Sequence, residues 1–134
     1  MLPWTFWTYV SETGRNEVQK SIDRYDAYAT ASFERAVSHL AITDIKGWDE
    51  PHAKKLKNQE PPLYEIRYKA NNRQERALGF FDGHGAFVIT LICFHKGRIY
   101  NPRDAFEIAQ RRAIRIKEGI ATTAPLQING EDFC

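Results

Sequence analysis

The sequence has few cysteines and no long apolar run. Only Cys93 and Cys134 occur among the 134 residues, so neither a disulfide framework nor a Cys-x-x-Cys metal or redox pair can form. The longest apolar stretch, 86–94, is much shorter than the roughly 20 residues of a membrane-spanning helix. The N-terminus begins with aromatic residues instead of the basic and aliphatic segments of a signal peptide. We therefore expect a protein of the reducing cytoplasm that does not enter membranes.

Specific catalytic and metal-binding motifs are also missing. No P-loop, GxGxxG, HExxH or GxSxG pattern occurs, and the four histidines do not have metal-ligand spacing. The sequence therefore predicts neither a metal nor a cofactor. A composition of 43% hydrophobic and 27% charged residues suits one globular domain with one core. We assign residues 1–118 to this domain and residues 119–134 to an irregular, acidic C-terminal tail.

Charge is distributed unevenly along the chain, although the net charge is only +2. Residues 1–50 carry a net charge of −3, residues 51–118 carry +7, and residues 119–134 carry −2. A basic middle segment favours a polyanionic partner, above all a nucleic acid. An excess of this size also occurs on surfaces that simply face solvent, so charge alone leaves both interpretations open.

Hydrophobic periodicity predicts a strand and two helices in the N-terminal half. A strand at 4–10 is followed by a short helix at 17–25, for which Asn16 is the expected N-cap. A second helix is expected at 26–43, because its apolar residues repeat at spacings of three and four. The stretch 46–62 is rich in proline and lacks sustained periodicity, so it is predicted to be a loop.

The second half of the sequence is predicted to form three strands and a helix. Turn-forming residues separate three strand-like runs at 63–70, 73–81 and 86–94. Asn101 and Pro102 then form the predicted start of a helix that ends at Gly119. The order β-α-α-β-β-β-α, with an antiparallel meander, indicates an α+β fold.

The turn at Asn71-Asn72 predicts an unusual pairing of charges. If these two residues form a two-residue hairpin turn, Arg67 stands directly opposite Arg76. Like charges in this position are destabilising, so the two guanidinium groups could share an anion such as a phosphate. Alternatively, both arginines point into solvent, or Glu65 or Glu75 pairs with one of them.

A second group of candidate residues follows the last strand. His95, Lys96, Arg98 and Tyr100 supply an imidazole, two cations and a phenol within six residues. Proton transfer and charge neutralisation at a phosphodiester need these chemical types. The spacing is unspecific, because a histidine at a strand end is often structural and Tyr100 could simply pack its ring against the final helix.

An ordered series of motifs gives the chain a family resemblance. The run "LYEIR" at 63–67 precedes a strand with a central Arg76, an apolar strand leading to Lys96, and Asn101-Pro102 before a helix rich in alanine and arginine. Over residues 4–118 this series resembles the HigB-type toxins of the RelE/ParE superfamily, many of which are phage-derived. Each motif is weak alone, and the resemblance depends on their order.

The resemblance implies a small sheet with helices packed on one side. It also implies a toxin that cuts messenger RNA on the ribosome through metal-free attack of a ribose 2′-OH, and that a helix-turn-helix antitoxin of the HigA type holds inactive. Together with the neighbouring side chains, the matching positions nominate a catalytic set: Arg67, Arg76, His95, Lys96 and Tyr100. A second basic set is expected to bind the RNA backbone: Lys54, Lys55, Lys57, Arg73 and Arg98.

The chain departs from the family pattern at two positions. Gly97 stands where a second lysine often follows Lys96, and Tyr100 stands where a lysine often occurs. Surrounding cations would favour the phenolate of Tyr100, which could then act as a proton acceptor or donor. Two other functions stay open: a non-nuclease toxin that binds a protein, as gyrase-directed relatives do, and an inert phage homologue. Convergence of Arg67 and Arg76 with Lys96 and Tyr100 would favour the nuclease.

Overall fold

The N-terminal half follows the predicted order of a strand and two helices. The computed structural model describes residues 2–133. The first elements are β1 (Thr5–Val10), α1 (Glu17–Asp23) and α2 (Ala27–Ala41). Asn16 caps α1, as expected, by accepting a hydrogen bond from the backbone N–H of Gln19, and Asp26 caps α2 through Ala29 in the same way.

The stretch that was predicted to be a loop contains ordered structure. A short 3₁₀ helix (Ile45–Gly47) precedes the edge strand β2 (Ala53–Lys55), which pairs antiparallel with the next strand along the chain. Trp48 lies between them and is buried in the core. Three residues are too few for alternating hydrophobicity to reveal a strand, so the loop prediction was wrong at β2.

Four strands and a helix form the middle of the chain. They are β3 (Tyr64–Ala70), β4 (Arg73–Phe81), β5 (Ala86–Lys96), β6 (Ile99–Asn101) and α3 (Ala105–Lys117). The predicted start of the last helix was wrong. Asn101 pairs with Phe94 in the β5–β6 hairpin, so its backbone belongs to a strand, and α3 begins after Asp104.

The C-terminal residues are not an irregular tail. They form β7 (Thr122–Pro125) and a small hairpin of β8 (Gln127–Ile128) and β9 (Glu131–Asp132). Strand β7 pairs antiparallel with β1, and Ala121, Leu126 and Ile128 are buried in the core. The negative net charge of residues 119–134 gave no indication that three of their apolar side chains are buried.

Strands β1–β7 form one mixed sheet in the order β2-β3-β4-β5-β1-β7, with β6 added at the end of β5, and β8 and β9 form a separate two-stranded sheet. The run β3-β4-β5 is the antiparallel meander that the sequence predicts. However, β1 lies parallel to β5, so the sheet as a whole is not antiparallel. Hydrophobic periodicity carries no information about strand direction, which explains the difference.

Helices cover both faces of this sheet. On the α1–α2 face, Phe33 and Leu40 pack with Ile66 and Phe87. On the opposite α3 face, three alanines of α3 (Ala105, Ala109 and Ala113) pack against a second apolar cluster that includes Leu78. The expectation of helices on only one side is therefore wrong. The small alanine side chains let α3 lie close to the sheet.

Candidate functional site

Arg67 and Arg76 form the predicted cross-strand pair. They lie directly opposite each other on β3 and β4, and Asn71 in the turn has the positive φ of 58° that such a turn requires. Directly paired residues share a face, which here is the α3 face. Arg76 is buried and Arg67 is half-buried, so the two arginines do not both point into solvent.

The buried carboxylate of Glu65 lies against both arginines. Its Oε2 accepts a hydrogen bond from Nε of Arg67 at 2.7 Å and lies 3.6 Å from Nε of Arg76. Its Oε1 accepts a hydrogen bond from the hydroxyl of Tyr100. Since Glu65 is completely buried, the arginines compensate a charge that would otherwise be costly. The anion shared by the two arginines is thus a group of the protein itself.

Arg76 is held in place by further contacts. Its Nη1 donates to the backbone carbonyl of Glu75 at 2.8 Å, and its Nη2 donates to Oε1 of Gln74 at 3.0 Å. The same Nη2 lies 3.5 Å from Nδ1 of His95. Because its guanidinium already has these partners, Arg76 supplies a fixed positive charge and is not free to form bidentate hydrogen bonds with a phosphate.

His95 lies beside Arg76 with its ring against Tyr100. The centroids of the two rings are 4.1 Å apart in an edge-to-face arrangement. Partial burial and the charge of Arg76 lower the pKa of His95 below its usual value. The imidazole is therefore neutral at pH 7, and a neutral imidazole can accept a proton.

Tyr100 is a phenol and not the expected phenolate. Burial and the hydrogen bond to Glu65 raise its pKa above the usual value, and these effects outweigh the opposing charge of Arg76. Its ring also packs against Phe106 of α3, with the centroids 4.7 Å apart. The ring therefore has the structural role that the sequence left open. The hydroxyl points to Glu65 and its two arginines, Arg67 and Arg76, which we call the arginine cluster.

Lys96 does not join this cluster. Because β5 continues to Lys96, side chains alternate up to that residue, and His95 and Lys96 point to opposite faces. Lys96 lies towards the α1–α2 face, at the end of the sheet. Arg98 is exposed in the turn between β5 and β6.

The expected RNA-binding residues are dispersed. Lys54 stands opposite Glu65 in the β2–β3 register, and its Nζ lies 3.9 Å from Glu50, which also accepts a hydrogen bond from Arg67 at 3.2 Å. Lys54 therefore lies beside the arginine pair. Lys55 and Lys57 are exposed, and Arg73 lies on the α1–α2 face beside Glu75.

Glu65 is the member of the site that sequence reasoning did not include. The sequence suggests it only as a partner for one arginine, whereas in the structure it lies against both arginines and Tyr100. A signal was present in the "LYEIR" run, because Glu65 and Arg67 are two residues apart and so share a face in a strand. Its complete burial on the α3 face of the sheet could not be inferred from that pattern.

Residues 2–133 contain neither a membrane-spanning helix nor a metal-binding group of side chains. No helix in this part of the chain is long and apolar enough to cross a membrane. The same residues contain no group of three or more His, Cys, Asp or Glu side chains arranged to hold a metal ion.

Comparison with known proteins places the chain in a family. The family model described as phage-derived protein Gp49-like (DUF891) matches residues 20–113, a span that includes Glu65, Arg67, Arg76 and Tyr100. No curated protein and no solved structure matches the chain. The family match extends from α1 into α3 and covers well over half of the sequence. The chain therefore belongs to the phage-derived Gp49-like family, a RelE/ParE-like family whose members are generally toxin-like.

Proposed function

We propose that this protein is a toxin of the HigB type that cuts messenger RNA on the ribosome by metal-free attack of a ribose 2′-OH. The observation that carries the proposal is the meeting of Arg67, Arg76 and Tyr100 at one buried carboxylate, with a neutral imidazole beside Arg76. A cation cluster, a proton acceptor and a protonated phenol are the groups that cleavage of a phosphodiester requires.

The reaction is an internal displacement at phosphorus. The 2′ oxygen forms a bond to phosphorus while the bond to the 5′ oxygen breaks, which leaves a 2′,3′-cyclic phosphate and a 5′-hydroxyl. His95 takes the 2′-OH proton through Nδ1, because its 3.5 Å contact with Arg76 is too long to occupy that nitrogen firmly. Tyr100 is protonated at neutral pH and supplies the proton for the leaving oxygen.

The charge of the cluster suits a phosphorane. Arg67, Arg76 and Lys54 bring three positive charges, and Glu50 and Glu65 bring two negative ones. The remaining positive charge, held in fixed positions and partly away from water, stabilises the negative charge that develops during attack. Exposed Lys55 and Lys57 add affinity for an RNA backbone without choosing a sequence.

The partners in this proposal are the ribosome with its messenger RNA, in the cytoplasm, and an antitoxin of the helix-turn-helix HigA type that neutralises the toxin. Family membership supports a toxin-type role. The proposal extends that role to RNA cleavage on the basis of the arginine cluster and its two proton-transfer groups.

Induced expression in a bacterium tests this function. We expect growth arrest together with breaks in translated messages, and relief of both by Arg67→Ala. Arg111→Ala is the matched control, because Arg111 is an exposed cation on α3 outside the cluster. Growth arrest with intact transcripts would instead indicate a protein target, and the absence of both effects would indicate an inert homologue.

A further inference from the structure

A concave surface lies at the end of the sheet, on the α1–α2 face. It has a volume of about 990 Å³ and is bounded by the junction of α1 and α2 and by the β3–β4 and β5–β6 turns. We call it the end groove, and its main lining residues are Arg24, Tyr25, Asn71, Arg73, Phe94 and Lys96. Its size is that of a cavity which takes a small organic ligand or a nucleotide.

Cationic side chains outnumber acidic ones in the lining of the end groove. Arg24, Arg73 and Lys96 line it, while Asp26 is the only acidic residue among the groups that form its lining. The carboxylate of Asp26 is already engaged, because it accepts hydrogen bonds from the backbone N–H of Ala29 at 2.8 Å and from the side-chain amide of Asn71 at 3.2 Å. An anionic ligand would therefore meet Arg24, Lys96 and the Arg73 cation that Glu75 partly compensates, together with one carboxylate that is already hydrogen-bonded.

The floor of the end groove is a stack of two planar groups. The guanidinium carbon of Arg73 lies 4.1 Å from the ring centroid of Phe94. Arg73 is held there by the buried carboxylate of Glu75, which also accepts a hydrogen bond from the hydroxyl of Tyr25 at 2.6 Å. The side chain of Arg73 is still 51% exposed, so one face of its guanidinium is open. Guanidinium planes and aromatic rings are the surfaces on which unpaired bases stack.

The end groove is continuous with the arginine cluster. Gln74 and His95 line the groove, and the same two side chains contact Arg76 on the other side of the sheet end. A chain bound in the groove could therefore pass round the end of the sheet to Arg76. Lys96, which points away from the cluster, lies on this path.

We propose that the end groove binds single-stranded RNA next to the cleaved phosphate. One base stacks on the open face of Arg73, and the neighbouring phosphates contact Arg24 and Lys96. This inference rests on the proposed function for the position of the cut, and it assigns Lys96 to substrate binding and not to the cleavage step.

Binding of a short fluorescent single-stranded RNA, measured by anisotropy over a range of salt concentrations, tests the groove. Arg24→Ala and Lys96→Ala should each weaken binding several-fold and reduce the slope of log Kd against log salt by about 0.7, the value for one phosphate contact on a single strand. Phe94→Leu keeps apolar bulk but removes the ring beneath Arg73. It should weaken binding about fivefold or more without changing the slope, because stacking is not ionic.

Arg111→Ala is the control for removing a positive charge outside the groove, and it should leave affinity and slope close to those of the wild-type protein. If Arg24→Ala and Lys96→Ala behaved like this control, or if the wild-type protein did not bind RNA at low salt, the groove proposal would be wrong. Equal binding of polyglutamate, with the same response to these two variants, would indicate an acidic protein partner and would also overturn it.

The two proposals can fail separately. If ribosomal cleavage is absent but the groove variants weaken RNA binding as described, the end groove stands and the proposed nuclease function falls. If cleavage occurs and is lost in Arg67→Ala while the groove variants bind RNA normally, the nuclease function stands and the end groove falls.

Discussion

Arg76 lies directly opposite Arg67 on neighbouring antiparallel strands, and the carboxylate of Glu65 lies against both guanidinium groups. Two like charges in this position are unfavourable unless a counter-charge is present. Glu65 supplies that charge from a completely buried position, whereas the side chain of Arg67 is 23% exposed and that of Arg76 is 7% exposed. The stability of this part of the sheet therefore depends on Glu65 more than on Arg67.

Glu65→Gln tests that dependence. The substitution preserves shape but leaves the buried charge of Arg76 uncompensated, so we expect a loss of about 3 kcal/mol in the free energy of unfolding, measured by urea denaturation. Arg67→Ala should lower the free energy of unfolding by only about 1 kcal/mol, because Arg76 still compensates the charge of Glu65. Glu60→Gln, at an exposed position, is the control, and an equal effect of Glu60→Gln and Glu65→Gln would contradict the role of Glu65.

Tyr100→Phe separates the two roles of Tyr100. The ring and its packing against Phe106 are kept, while the hydroxyl that donates to Glu65 is removed. We expect a loss of about 1 kcal/mol in stability, because Glu65 loses one hydrogen-bond donor. If the phenol supplies the proton for the leaving oxygen, cleavage should fall by about 10²-fold with ribosome binding unchanged. Unchanged cleavage would remove Tyr100 from the mechanism.

The lowered pKa of His95 predicts a pH dependence of stability. The unfolded chain binds a proton at His95 near its ordinary pKa of 6.5, whereas the folded protein binds it only at lower pH. As pH falls below 6.5, this group therefore favours the unfolded state and stability decreases. Unfolding measured between about pH 5 and pH 8 should show a flatter curve for His95→Gln than for the wild-type protein. Identical curves would show that His95 titrates normally in the folded state.

The C-terminal strands are expected to contribute to stability. Leu126 is completely buried between β7 and β8, whereas Ile120 is 46% exposed a few residues earlier. Leu126→Ala should reduce the free energy of unfolding by about 2–5 kcal/mol, and Ile120→Ala should have little effect. Thermal denaturation of both variants gives the comparison. Equal melting temperatures would mean that the end of the chain is not part of the folded core.

Local turn and cap chemistry predicted a substantial part of this fold. Asn71-Asn72 specified the register of β3 and β4, and hence the arginine pair, because a two-residue turn leaves only one pairing of the strands. Asn16 likewise marked the start of α1. These features depend on residues close in sequence, so they can be recognised without knowledge of the rest of the molecule.

Long-range pairing could not be recognised in this way. The parallel contact of β1 with β5 and the antiparallel contact of β7 with β1 join segments that are far apart in sequence. Helix α3 lies on the face opposite α1 and α2, although its periodicity only shows which side of the helix is buried. Strand direction and the choice of sheet face are set by packing between such distant segments.

In the candidate site, too, one feature follows from the local sequence and another could not be predicted from it. The pair of Arg67 and Arg76 follows from the turn, whereas the position of Lys96 depends on where β5 ends. The strand was expected to stop at Phe94 but continues to Lys96, so the alternation of side chains extends over His95 as well. Consecutive residues of a strand point to opposite faces of the sheet, so Lys96 and His95 lie on different sides.

Cleavage of a messenger RNA on programmed ribosomes, with one 2′-deoxynucleotide placed at the mapped cut site, tests the central claim most directly. The account predicts that the all-ribose message is cut to give a 2′,3′-cyclic phosphate and a 5′-hydroxyl, and that the deoxy substitution abolishes the cut at that position. Equal cleavage of both messages, or products that carry a 5′-phosphate, would contradict attack by the 2′-OH and with it the proposed mechanism.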